Sequence, residues 1–288
     1  MNLICAGVLG FCMGVRRAVE LAAEAGRDSS RRVFTLGPLI HNPKVLADLQ
    51  NSGVETLDEL PANCENCTVI IRAHGVSPDV EKRLSSSGCR IIDATCPRVK
   101  ASQLKVEELS LAGYFLFLAG EAEHAEIEGI MGYAGSAPFC AVVGGADEAE
   151  QAAARLYEKN KDAKTALLGQ TTISRAEYSS IGGTLKKYFP DLKIVDTICA
   201  ATTDRQNALH ELLDKVDAVI IAGGKESANT RRLLAIAQES GKPCVLAESP
   251  SCIPDYFKTF QTVGISAGAS TPDSVISEIE LELLSSNS

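Results

Sequence analysis

The sequence has no tryptophan, and only six tyrosines and eight phenylalanines among 288 residues. Single-stranded nucleic acid is gripped by stacking on aromatic rings, so that class of function is disfavoured. Basic residues are also in short supply, with 28 Lys and Arg against 37 Asp and Glu and a formal net charge of −9. Nucleic acids and anionic membrane surfaces need a basic face, and neither is expected as a partner. One small polar pocket for an anion remains compatible with that balance. No long apolar run is present. The longest uncharged stretch, Gly129 to Ala146, carries five glycines and a proline and makes a poor membrane span. Leu3 to Val15 is uncharged, but Arg16 and Arg17 follow it instead of preceding it, the wrong polarity for a signal peptide. Nucleotide loops are missing too. There is no G-x-G-x-x-G, and Gly223-Gly-Lys-Glu-Ser227 is only part of a Walker A loop. A cytoplasmic protein is expected, and its ten cysteines should then be thiols, some of them metal ligands.

What is present is an ordinary globular composition, 45% hydrophobic and 23% charged, with chain enough for two domains or three small ones. Short apolar runs rich in β-formers alternate with amphipathic helical runs. Strands are expected at 32–36, 68–72, 90–93, 114–118, 141–143, 165–168, 193–195, 218–222, 244–247 and 261–266. Helices are expected at 14–25, 80–87, 101–112, 146–161, 176–188, 204–215, 229–240 and 272–284. Such alternation, with nearly continuous apolar strands, indicates α/β units with mainly parallel sheets.

An internal repeat is the most informative feature. Arg90-Ile-Ile-Asp-Ala-Thr-Cys96 parallels Lys193-Ile-Val-Asp-Thr-Ile-Cys199, and Cys12 likewise precedes a helical run. Counting forward, 29 residues separate Cys12 from His41, 28 separate Cys96 from His124, and 30 separate Cys199 from Asn229. A further polar station follows in each unit, at Arg72-Ala-His74, Gln170-Thr171-Thr172 and Ser266 to Thr271. The chain therefore divides into three related units, 1–97, 98–196 and 197–284. Each presents one cysteine and two polar stations at the carboxyl ends of strands, where open α/β sheets bind ligands.

Three thiolates drawn from three units differ from the close pairs of structural zinc sites. They suit an iron–sulfur cubane with one iron lacking a protein ligand, and an open iron acts as a Lewis acid. The plainer reading of a free cysteine is a small buried hydrophobe. It is applied to Cys5, Cys89, Cys140, Cys244 and Cys252. Cys64 and Cys67 form a C-x2-C, read as a surface loop with incidental thiols; a zinc site recruiting His74 and Cys89 is the alternative. Three of the four histidines, His41, His74 and His124, fall on repeat stations, whereas His210 is read as structural or solvent-facing. Imidazoles, hydroxyls, an amide and helix N-termini can hold a diphosphate without a basic patch. Glu126 is open to two readings, a general acid whose pKa is raised, or a helix-N-terminal carboxylate serving the dipole. A non-catalytic iron–sulfur protein and a phosphosugar-binding α/β protein are the competing functional classes.

Taken together, several motifs are specific. Gly10-Phe-Cys12-Met-Gly-Val, Ile40-His-Asn, Arg72-Ala-His-Gly, Asp93-Ala-Thr-Cys96-Pro, His124-x-Glu126, Gln170-Thr-Thr, Thr197-Ile-Cys199-x-Ala-Thr and Gly268-Ala-Ser-x-Pro272 resemble the 4-hydroxy-3-methylbut-2-enyl diphosphate reductase family. The resemblance spans about residues 3 to 283. It implies a pseudo-threefold trefoil of three α/β domains around a 4Fe–4S cluster held by Cys12, Cys96 and Cys199, a cluster that air can degrade to 3Fe–4S or remove. It implies that the unique iron takes the allylic hydroxyl oxygen of the substrate, which leaves as water to give isopentenyl and dimethylallyl diphosphate. That reaction is the last step of the methylerythritol phosphate route. By the same resemblance Glu126 delivers protons and Thr171 lies near the hydroxyl end. His41, His74, Ser227, Ala228 (through its backbone), Asn229 and Ser270 hold the diphosphate, and His124 stands between diphosphate and proton path. A ferredoxin or flavodoxin-type donor is implied. One departure is Glu226-Ser-Ala228-Asn, where the family has Asn-Ser-Ser-Asn. Ala228 has no hydroxyl to donate, and Glu226 should point away from an anion site.

Overall fold

The computed structural model describes residues 1–28, 30–59, 64–135 and 140–285. Asn63 and residues 136–139 of the uncharged stretch lie outside the described residues. In chain order the elements are β1 (Asn2–Cys5), α1 (Met13–Gly26), β2 (Arg32–Leu36), α2 (Pro43–Asn51), β3 (Val54–Leu57), β4 (Cys67–Ile71), α3 (Pro78–Ser86) and β5 (Arg90–Asp93). They continue with α4 (Pro97–Leu111), β6 (Phe115–Ala119), α5 (Ala125–Tyr133), β7 (Cys140–Val143), α6 (Ala146–Lys159), β8 (Thr165–Gly169), α7 (Arg175–Lys186) and β9 (Lys193–Ile194). The last are α8 (Ala200–Leu213), β10 (Ala218–Ala222), α9 (Ala228–Glu239), β11 (Cys244–Ala247), β12 (Thr262–Ala267) and α10 (Asp273–Ser285), with two short 3-10 turns between β11 and β12.

Three four-stranded sheets result, in the orders β3-β2-β4-β5, β7-β6-β8-β9 and β11-β10-β12-β1. β12 runs parallel to β1 and β10, β10 to β11, β4 to β2 and β5, β6 to β7 and β8, and β8 to β9. The expected α/β class with parallel sheets is thus observed. The ten strands read from sequence all form, within a residue or two. The two that were not read, β1 and β3, are edge strands. β5, β7, β9 and β11 are edges too and were read; β1 and β3 are short and lack the fully buried run that marks β8 and β10.

The chain clusters into two compact units. One comprises 1–27, 38–56 and 200–288, and holds the β11-β10-β12-β1 sheet. Alternation along β10 splits its core into two layers. Val219 and Ile221 pack with Leu209, Leu212 and Leu233, while Ile220 packs with Phe257, Ile265 and Ile279. The other unit comprises 28–37 and 57–199. There Phe117 and Leu167 face Ile181 and Leu185, and Leu116, Leu118 and Leu168 face Val106, Leu109 and Ile130. Central strands buried on both faces hold the loops at their carboxyl ends in fixed positions.

The sheets show a repeat phased differently from 1–97, 98–196 and 197–284. In each sheet, three neighbouring strands deliver first station, second station and cysteine. β2, β4 and β5 lead to His41, His74 and Cys96. β6, β8 and β9 lead to His124, Thr171 and Cys199. β10 and β12 lead to the 227–229 segment and Ser270, and β1, from the other end of the chain, pairs with β12 and supplies Cys12. The N-terminal strand thus completes the third repeat.

Among the described residues no helix is long and apolar enough to cross a membrane.

Candidate functional site

The three repeat cysteines share one local geometry. Each lies directly before a helix: α1 begins at Met13, α4 at Pro97 and α8 at Ala200. Each backbone N–H donates to a carbonyl in the loop after the adjacent parallel strand: Cys12 to Ala269 at 3.1 Å, Cys96 to Ala73 at 2.9 Å, Cys199 to Thr171 at 2.9 Å. Two of them are preceded by the same bend. Asp93 Oδ1 accepts the Thr95 N–H at 2.9 Å, and Asp196 Oδ1 accepts the Ile198 N–H at 3.3 Å. The aspartate three residues before the cysteine is therefore an Asx-turn acceptor that swings the chain out of the strand. The sequence displays this aspartate but not its task. All three thiols are half-buried and reduced, and neither Cys12 nor Cys96 spends its sulfur on capping its helix. Soft donors so presented fit an iron–sulfur cluster.

The unit holding β6 and β8 carries His124, Glu126 and Thr171. His124 caps α5, its Nδ1 accepting the Glu126 N–H at 3.1 Å, which leaves Nε2 to carry the proton of the neutral ring. Glu126, only 2% exposed, accepts twice from Thr171: the backbone N–H reaches Oε1 at 2.6 Å and the hydroxyl reaches Oε2 at 2.8 Å. Burial pushes this carboxyl up to about 7, against the pull of both Thr171 hydrogen bonds. A carboxyl that keeps its proton near neutrality can serve as a general acid. His74 meets His124 edge to face, with centroids 5.3 Å apart.

Gln170 is a positioning residue that sequence reasoning quoted without a role. Wholly buried, its Oε1 accepts the Glu121 N–H at 3.0 Å, tying the Thr171 loop to the loop before His124. Gly120 permits this, since a Cβ there would lie 2.7 Å from that same oxygen. Thr197 does similar work before Cys199, with its hydroxyl exchanging hydrogen bonds with Gly169 N–H and C=O at 2.7 Å each.

The unit holding β10 and β12 gathers His41, Ser227, Asn229 and Ser270. Ser227 caps α9 by accepting the Thr230 N–H, which puts Ala228 and Asn229 in the first turn, where backbone N–H groups have no helical partner. Asn229 is 4% exposed, and both its Nδ2 and its Oδ1 are buried without a hydrogen-bond partner. A buried amide with both ends unsatisfied is costly, and an anion or hydroxyl ligand would offset that cost. Ser270 Oγ donates to the His41 carbonyl at 3.4 Å. Gly224 packs so closely that a Cβ would stand 2.5 Å from that carbonyl oxygen, so the 223–225 loop and His41 are in direct register. Asn42, another residue the sequence left without a task, caps α2 by accepting the Val45 N–H at 3.2 Å. Ala228 is buried and Glu226 is exposed.

The remaining cysteines correct two expectations. Cys64 and Cys67 are not in a surface loop. They are 2% and 6% exposed and pack with Phe34, with Cys89 beside them. Burial raises the Cys64 thiol, the mark of an inert packing cysteine. His74 follows the opposite end of β4 from Cys67, so the zinc alternative loses its histidine. Cys5 and Cys252, expected to be buried, are exposed. Cys5 donates to Glu280 at 2.9 Å, and burial of the sulfur with that carboxylate pushes its pKa up to about 12. His210 is exposed.

Known proteins resemble the chain over nearly its full length. The family model described as "LytB protein" matches residues 3–284. A 4-hydroxy-3-methylbut-2-enyl diphosphate reductase of Treponema denticola is 42% identical over 97% of this chain and 98% of its own length. The reductase of the same name from Aquifex aeolicus is 38% identical over 97% and 95%. Among solved structures, the diphosphate reductase of Plasmodium falciparum superposes with a TM-score of 0.88 at 26% identity, over 97% of this chain and 86% of that one. A second solved reductase, described as the terminal enzyme of the non-mevalonate pathway, gives a TM-score of 0.71 at 38% identity over 99% and 100%. The chain belongs to the LytB family, the iron–sulfur 4-hydroxy-3-methylbut-2-enyl diphosphate reductases.

Proposed function

We propose that this reductase removes the hydroxyl of 4-hydroxy-3-methylbut-2-enyl diphosphate, with two electrons and two protons, to give water and isopentenyl and dimethylallyl diphosphate. Cys12, Cys96 and Cys199 would hold a 4Fe–4S cluster, supported by their shared bridge to the neighbouring loop and by the absence of a fourth repeat cysteine. When bound, such a cluster supplies electrons and a Lewis-acidic iron for the departing oxygen. The chain's own residues do the rest. Glu126 holds a proton at its carboxyl near neutral pH and gives it up as the hydroxyl leaves. Thr171 orients that carboxyl through two hydrogen bonds and sits beside the hydroxyl end. His124, its Nε2 protonated, joins the proton path to the diphosphate. His41, His74, Ser227, Asn229 and Ser270 bind the diphosphate, and the Ala228 backbone N–H replaces the missing hydroxyl. A ferredoxin or flavodoxin-type protein delivers the electrons, and the compartment is the cytoplasm.

The buried Glu126 with its pKa near 7 carries this reading, because a pure electron carrier has no use for a neutral carboxyl. Serine replacement tests the ligand assignment. Anaerobically purified Cys96→Ser should lose most of its iron and its turnover, whereas Cys244→Ser keeps both. Equal iron in the two variants would remove Cys96 from the ligand set.

A further inference from the structure

Gln103 lies on α4, about two turns after Cys96, and is wholly buried. Its Nε2 donates to the Val76 carbonyl at 3.3 Å. That carbonyl follows His74 in the loop after β4. Cys96 reaches the same loop just before the histidine, its N–H donating to the Ala73 carbonyl at 2.9 Å. The segment carrying His74 is thus held at both ends, by α4 and by the cysteine that precedes it.

The fit around the amide is close. Gly75 has a φ of +72°, and a Cβ there would collide with Gln103 Nε2. α5 crosses the same place on glycines. A Cβ at Gly129 would stand 3.5 Å from Nε2 and 3.6 Å from the Gly75 carbonyl, and one at Gly132 would collide with the Ser77 side chain. α5 is the helix that His124 caps and whose first turn holds Glu126. The Gln103 amide therefore stands where the Cys96 helix, the His74 loop and the Glu126 helix meet. Its Oε1 is buried with no hydrogen-bond partner among the described residues. An apolar side chain of the same shape would avoid the cost of that oxygen, so what the amide adds is the donor to Val76.

We propose that Gln103 is a positioning residue for the substrate: by holding the Val76 carbonyl it fixes the His74 imidazole relative to Cys96 and to His124, whose ring His74 meets edge to face. This rests on the proposal that His74 binds the diphosphate. Loss of the donor frees one end of the loop while the Cys96 bond keeps the other, so substrate binding should suffer before the cluster does.

The test uses the full chain, anaerobic and iron-replete, as wild type, Gln103→Met, Gln103→Glu and His74→Ala. KM and kcat for 4-hydroxy-3-methylbut-2-enyl diphosphate, iron per chain and Tm are measured. Methionine fills similar space without a donor. Gln103→Met should raise KM about tenfold while kcat and iron stay at the wild-type level. Gln103→Met with wild-type KM, whatever its Tm, would overturn the proposal. Gln103→Glu adds a pH signature, because the protonated carboxyl can donate to Val76 and the ionised one cannot. Burial raises a carboxyl, so the ratio of this variant's KM to the wild type's should climb about tenfold between about pH 6 and 9. Taking the ratio cancels the titrations of His74 and His124, which both enzymes share. A ratio that stays at one throughout contradicts the positioning role, and this arm decides should Gln103→Met fail to fold. His74→Ala separates the two readings. If it keeps the wild-type KM, His74 is not a diphosphate ligand; if it raises KM and the Gln103 variants do not, the positioning role alone falls.

Discussion

At the scale of single residues, the account turns on groups whose surroundings fit a ligand or a proton better than they fit the fold. Glu126 binds more protons in the folded chain than in the unfolded one between its ordinary value of 4.5 and its folded value of about 7. Its contribution to stability therefore falls as pH rises through that window, by about 3 kcal/mol in all. Glu126→Gln removes that slope. Its amide can still accept from the Thr171 N–H and donate to the Thr171 hydroxyl. We expect the variant to keep its cluster and bind substrate, lose most of its turnover, and show a flatter profile of unfolding free energy against pH than the wild type. Urea titrations at a series of pH values, beside turnover assays, measure both; undiminished turnover would take Glu126 out of the acid role. Asn229 gives the complementary case. Since neither end of its amide has a hydrogen-bond partner, Asn229→Ala sacrifices no internal hydrogen bond. KM for the diphosphate should rise about tenfold or more while Tm stays level or increases, as measured by steady-state kinetics and thermal unfolding. A fall in Tm with unchanged KM would make Asn229 a structural residue.

At the scale of elements, the strand-to-cysteine turn is the repeated device. Asp93→Ala deletes the acceptor for the Thr95 N–H and should cost about 1 kcal/mol, with faster iron loss to a chelator. Asp93→Asn keeps the acceptor and should behave as wild type, so similar iron loss in both would show that the turn does not govern the cysteine. Much at this scale was legible in the sequence, for a physical reason. Strands such as Ala218–Ala222 and Thr165–Gly169 are buried on both faces and must be apolar throughout, which leaves a readable run. β1 and β3 are short and only partly buried, and neither leaves such a run. The phase of the repeat also escaped. Counting forward from Cys12 gives even spacings whether the cysteine opens its own repeat or closes another, and only the pairing of β1 with β12 decides.

At the scale of the whole molecule, the three cysteines and their stations were legible because the same chemistry recurs three times. The remaining thiols were not, since nothing in a lone cysteine tells an exposed Cys5 from a buried Cys64. The net charge of −9 is reconciled with an anionic substrate by the groups assigned to bind it, which are imidazoles, hydroxyls, an amide and helix N–H donors, with Glu226 turned outward. The most direct measurement is an anaerobic assay of the iron-replete chain with 4-hydroxy-3-methylbut-2-enyl diphosphate and a low-potential reductant, following substrate and products by chromatography. The account predicts loss of the substrate and appearance of isopentenyl and dimethylallyl diphosphate, with about four irons per chain. Iron-replete protein that leaves the hydroxylated diphosphate intact would contradict it.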